Sequence, residues 1–259
     1  MHWDYILLLV LLAVLVPWRS MSRVQELAAG PDLGSSQRLM LYFSTIVFQC
    51  TAVCIIVWRC LAHHLSWVAL GVALPHLFRT VAASVGLSAI LVVNQVYAIR
   101  RTGTLPYERR GIVAKLAERL LPRTRREALF GILLVLTVAI CEEFIYRGFV
   151  QALFTGFSAG SAFAGALISA IFFSSAHTYQ GRKGLLTTFI VGLLFSGVRI
   201  WTGSLLAPII IHFAIDFSVG VAAFRFLPPR TDPLALFLLY FPNFACPTRM
   251  ESRLSKVAR

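Results

Sequence analysis

Acidic residues are scarce in this chain: eleven Asp and Glu stand against 24 Lys and Arg, and only Glu142, Glu143 and Asp216 fall deep within apolar stretches. Charged residues of both signs make up 14% of the sequence and hydrophobic residues 58%, with a mean hydropathy of +0.77. That balance excludes an ordinary soluble domain and indicates an integral membrane protein. Cysteine is sparse as well. The five cysteines form no C-x-x-C pair; Cys50 and Cys54 share a helix face while Cys60, Cys141 and Cys246 are scattered. A thiolate metal ribbon or disulfide framework is disfavoured, which leaves small apolar packing residues. No internal repeat or low-complexity segment is present.

What the chain has instead is apolar runs. Stretches able to cross a bilayer, for which a helix needs about 20 residues, fall at roughly 5–18, 39–58, 80–98, 128–154, 160–178, 185–198 and 203–222. The expected fold is all-α, a polytopic transmembrane helix bundle of about seven spans. A shorter run over 233–245, interrupted by Pro242, reads as interfacial or re-entrant. The first stretch has the length of a signal-peptide core, but it lacks a basic leader, has Asp4 in front and is followed by Arg19 and Arg23. It reads as a retained anchor.

The net charge of +13 does not point to nucleic acid, because the basic residues sit between spans, nine of them from Arg100 to Arg126. They mark loops facing the anionic cytoplasmic leaflet, as do Arg182 with Lys183, and Arg225, Arg230 and the tail beyond. The uncharged 155–160 turn belongs outside. The expected topology has the N-terminus outside and the C-terminus cytoplasmic, and only Arg79 fits it poorly. Four regions follow: an N-terminal transmembrane scaffold (1–99), a basic cytoplasmic connector (100–127), a helix bundle carrying the unusual polar residues (128–224), and a cytoplasmic tail with the interfacial segment (225–259). Within the connector, 114–121 can form an amphipathic surface helix or a solvated loop. From 128 onward Gly160, Ala164, Gly165 and Ser169, then Gly192, Ser196 and Gly197, suit close helix packing around a polar cavity.

Three polar groups interrupt the apolar runs. Carboxylates at membrane depth are costly and mark function by default. Glu143 and Arg147, at i and i+4 on a helix, can pair and offset the cost of burying both. Glu142 points about 100° away, free for chemistry. His177 ends Phe173-Ser174-Ser175-Ala176-His177, where an isolated histidine would ordinarily be a hydrogen-bonded helix end. His212 and Asp216 lie one turn apart on one face, where they can chelate a metal, orient one another, or form an inert buried pair. Counted from the outer turns, Glu142, His177 and His212 lie on the order of 24, 28 and 16 Å deep at about 1.5 Å per residue. Helix tilt can absorb that spread.

The series Glu142-Glu143-x-x-x-Arg147, Phe173-x-x-x-His177, His212-x-x-x-Asp216 resembles the motifs of the CPBP intramembrane proteases, also called the CAAX-processing, bacteriocin-processing or ABI family. The resemblance covers residues 128–220. It implies a helical bundle that cleaves peptide bonds within the membrane, with Glu142 activating water, His177 assisting, His212 and residue 216 stabilising the oxyanion, and Glu143 and Arg147 supporting the helix. A carboxylate withdrawn from water holds a proton more readily, which suits a general base. Many relatives carry Asn at the last position, whereas Asp216 donates a hydrogen bond only when protonated. Two mechanisms follow: a cofactor-free glutamate site, in which Asp216 is protonated or orients His212, and a Zn²⁺ site held by His177, His212 and a carboxylate. The first is preferred.

The expected function is an intramembrane endopeptidase acting on a membrane-tethered protein or peptide of CAAX, leader or C-terminal sorting-tail type, in the bacterial plasma membrane. The partners are that substrate and the lipid bilayer, with no nucleic acid. The alternative is a non-proteolytic immunity or regulatory protein using the same cavity for binding. A proton-relay transporter is weaker, because Glu142 and Glu143 are neighbours on different helix faces.

Overall fold

A chain without water to satisfy its amides must close its hydrogen bonds within each segment, so apolar runs of this length become helices. The computed structural model describes residues 2–227. Among these, eight helices and no strand occur: α1 (Trp3–Ala29), α2 (Ser35–Ala62), α3 (Leu77–Gly103), α4 (Ile112–Leu120), α5 (Arg125–Phe157), α6 (Ala162–Ser175), α7 (Thr178–Thr202, its first turn a 3₁₀ turn) and α8 (Leu206–Phe226). Six are long and apolar enough to cross a membrane, and α6 is a shorter apolar helix. The seven expected stretches therefore all correspond to helices, in an all-α polytopic bundle. The interfacial run 233–245 and Cys246 lie outside the described residues.

The lengths differ from the sequence expectation in three places. The first run continues through Pro17 to Ala29, and its second half, Val16–Ala29, buries no residue. The expected 160–178 span stops at Ser175, and the 185–198 run is lengthened by Gly181–Gly184 at its start. The 112–120 part of the connector is a helix that buries Leu116, as expected of an amphipathic surface helix.

Large apolar side chains face outward, among them Trp58, Phe78 and Ile90, as they do when lipid rather than water surrounds a bundle. Inside, α8 packs chiefly along α3 and also against α5, α2 packs along α5, and α6 along α7. Small residues allow these approaches. A methyl group on Gly165 would stand 2.2 Å from Thr155 Oγ1 and 2.7 Å from the Gln151 carbonyl oxygen, where α6 turns back onto α5. Gly165→Val is therefore expected to cost on the order of 1–3 kcal/mol by overpacking. A thermal melt of the detergent-solubilised protein that matches wild type would count against this close approach.

Two buried ion pairs tie the N-terminal helices to the rest. Asp4 accepts from Arg59 Nε at 2.5 Å and lies 2.8 Å from His63 Nε2, docking α1 on the end of α2. Glu127, fully buried, accepts from Arg38 at 2.8 Å and Ser35 at 2.5 Å. These two carboxylates join Glu143 as buried acids of the bundle.

The loops sort into two ends. At one, the Leu205 amide bonds to the Gly71 carbonyl at 2.9 Å, Arg199 to Ala69, and Arg79 to the Trp201 carbonyl. At the other, Arg119 donates to the carbonyls of Leu27 and Gly30, and Tyr42 to that of Leu120. The Arg100–Arg126 connector lies at this second end.

Candidate active site

The site is built where α5 passes between α7 and α8. Just beyond Glu143 the helix widens into a π-type turn over Phe144–Val150, every residue of which is buried. Such turns alter side-chain phase and leave a carbonyl to be served from elsewhere. Ser169 of α6 donates to the Tyr146 carbonyl at 2.7 Å.

Arg147 and Glu143 are both fully buried. Arg147 Nη1 donates to Glu143 Oε1 at 2.9 Å, as the i, i+4 spacing predicts. Its Nη2 reaches the Gly192 carbonyl at 3.4 Å, and the guanidinium lies 4.0 Å from the Phe173 ring centroid and 5.3 Å from that of Phe195. This aromatic sandwich adds cation–π attraction to the ion pair. His212 completes the cluster: its Nδ1 lies 2.8 Å from the same Glu143 oxygen, and its Nε2 lies 3.4 Å from Asp216 Oδ2. Arg147, Glu143, His212 and Asp216 thus form one polar chain crossing from α5 to α8. It runs from full burial to the Asp216 side chain, which is 37% exposed.

Glu142 stands apart. It is half-buried, and its Oε1 accepts from Gln49 Nε2 of α2 at 3.2 Å. His177 sits at the end of α6, half-buried, with Nδ1 2.8 Å from the Phe173 carbonyl and its ring 4.8 Å from the Phe173 ring. That bond assigns the hydrogen of the neutral ring to Nδ1 and leaves Nε2 as an acceptor. Among the described residues no hydrogen bond joins Glu142 directly to His177 or His212.

The sequence spacing anticipates both local pairs. It does not anticipate that Glu143 holds His212, nor that Gln49 reaches Glu142. Gln49 leaves one signal, as a polar residue inside the apolar 39–58 run.

A zinc centre needs three or four donors aimed at one point. Each ring nitrogen of His212 already faces a carboxylate oxygen. Among the described residues no three His, Cys, Asp or Glu side chains are grouped to hold a metal ion. The residues in this arrangement do not fit the zinc alternative.

Residues 124–218 match the family model for the type II CAAX prenyl endopeptidase Rce1-like proteins. An Escherichia coli protein described as an uncharacterized 24.3 kDa protein is 37% identical over 86 residues, which cover 31% of this chain and 40% of the relative. The chain thus spans about two fifths of that relative's length. No solved structure matches. The stretch 124–218 holds every member of the polar chain, and its match supports the resemblance to the CPBP family.

Proposed function

We propose that the protein is an intramembrane endopeptidase that hydrolyses a peptide bond in a membrane-associated protein or peptide, without a metal. The observation that carries this reading is the separation of two adjacent carboxylates: Glu143 is fixed between Arg147 and His212, while Glu142 accepts, among the described residues, from the Gln49 amide and stays half-buried. A base must be free to take a proton, which supports Glu142 rather than Glu143 in that role.

In this mechanism Glu142 removes a proton from water as the water oxygen attacks the scissile carbonyl carbon. His177 Nε2 accepts the second water hydrogen and orients the nucleophile. The tetrahedral intermediate then collapses, the C–N bond breaks, and the leaving amine takes the proton from Glu142. Glu143 and Arg147 hold the helix, and Asp216 orients His212. With a carboxylate at each nitrogen, His212 reaches an oxyanion only by giving up one of them, so its contacts favour the positioning role. The basic connector supports a cytoplasmic location for its end of the bundle, with the start of α1 outside.

The decisive experiment compares protein termini in the membrane and secreted fractions of the native host carrying wild type or Glu142→Gln. Termini that disappear with the variant establish proteolysis and identify the substrate as CAAX-type, leader-type or sorting-tail. Unchanged termini, with the variant stable and inserted, transfer the assignment to a binding or immunity role.

A further inference from the structure

Hydrolysis at Glu142 creates an oxyanion on the substrate, and the donors around the site can be counted. Glu142 and Asp216 are acceptors when ionised. The nitrogens of His212 face Glu143 and Asp216. His177 directs its ring hydrogen to the Phe173 carbonyl, and the Gln49 amide serves Glu142 itself. Among the described residues two phenols stand near: Tyr146, buried in the π-turn and within reach of Glu142 but not of Asp216, and Tyr179. Tyr179 sits in the Thr178–Gln180 turn directly after His177, half-buried, with its ring 5.9 Å from the His177 ring. Its phenol is within electrostatic reach of both Glu142 and Asp216. Gln180 Nε2 donates to the phenol oxygen at 3.4 Å, so that oxygen is an acceptor there and its own hydrogen stays available.

The geometry points to Tyr179 as a further catalytic residue, whose O–H donates to the oxyanion formed between Glu142 and Asp216. This rests on the proposed proteolysis. It also accounts for a carboxylate at 216: a phenol on the Thr178–Gln180 turn supplies the hydrogen that an ionised aspartate lacks. No covalent bond to Tyr179 forms, and its proton stays on the phenol throughout. An amide at Gln180 polarises the same O–H, because an oxygen that accepts a hydrogen bond donates its own more strongly.

The test uses the full-length chain in liposomes acting on the substrate whose terminus depends on Glu142, comparing wild type, Glu142→Gln and Tyr179→Phe. Phenylalanine keeps the ring against His177 and deletes only the hydroxyl. Loss of one oxyanion donor is expected to lower kcat on the order of 10²-fold, with KM and melting temperature little changed. Wild-type kcat in Tyr179→Phe, or a fall matched by a lower melting temperature, overturns the assignment while an inactive Glu142→Gln leaves the protease reading intact. If no terminus depends on Glu142, both readings fall together.

Discussion

Glu142→Gln is expected to lower turnover on the order of 10²- to 10⁴-fold, the range a positioned general base contributes. The substitution is nearly isosteric, and its amide oxygen still accepts from Gln49, so the α2–α5 contact at 3.2 Å survives. Half-burial removes any reason for a large change in stability. The diagnostic result is an inserted, normally melting protein that has stopped cutting. A rate equal to wild type would move the base elsewhere, and Glu143 could not take it over without abandoning Arg147 and His212.

Arg147→Met is expected to fail in the opposite way. Removing one partner of a buried pair strands the other charge, at about 3–5 kcal/mol. Here Glu143, fully buried, would keep only His212, while the Gly192 carbonyl and the faces of Phe173 and Phe195 lose the guanidinium between them. Lysine is no substitute, because a point charge cannot fork to Glu143 and Gly192 and stack on two rings. A denaturation midpoint in detergent that drops sharply, with loss of inserted protein in cells, is the expected result. A variant as stable as wild type would show that the cluster does not hold α5 to α7. The two substitutions, five residues apart, thus separate chemistry from architecture.

How much of this was legible in the sequence depends on distance along the chain. Glu143 with Arg147 and His212 with Asp216 are one helical turn apart, so 3.6-residue periodicity alone puts each pair on one face. The bond from His212 to Glu143 spans 69 residues and that from Gln49 to Glu142 spans 93. Such contacts depend on which helices are neighbours, and hydropathy carries no information about that. Span existence was readable because apolar runs are long. Span ends were not: the polar start of α7 continues the helix, and α6 stops where Ala176 and His177 turn into the Thr178–Gln180 turn. Nothing near Asp4 or Glu127 in the sequence marks them for burial, which the approach of Arg59 and Arg38 from another helix allows.

The brevity of α6 bears on how the proposed hydrolysis, which consumes water, proceeds inside oil. Fourteen residues extend about 21 Å at 1.5 Å each, against about 30 Å of hydrocarbon. Lipids alongside α6 meet a short wall and answer that mismatch by local thinning. The headgroup layer is drawn inward toward the end of α6, where His177 and Tyr179 sit. Under the proposed proteolysis, the nucleophile gains a shortened route to Glu142, and an extended substrate segment meets there the stretch of bilayer that is easiest to leave.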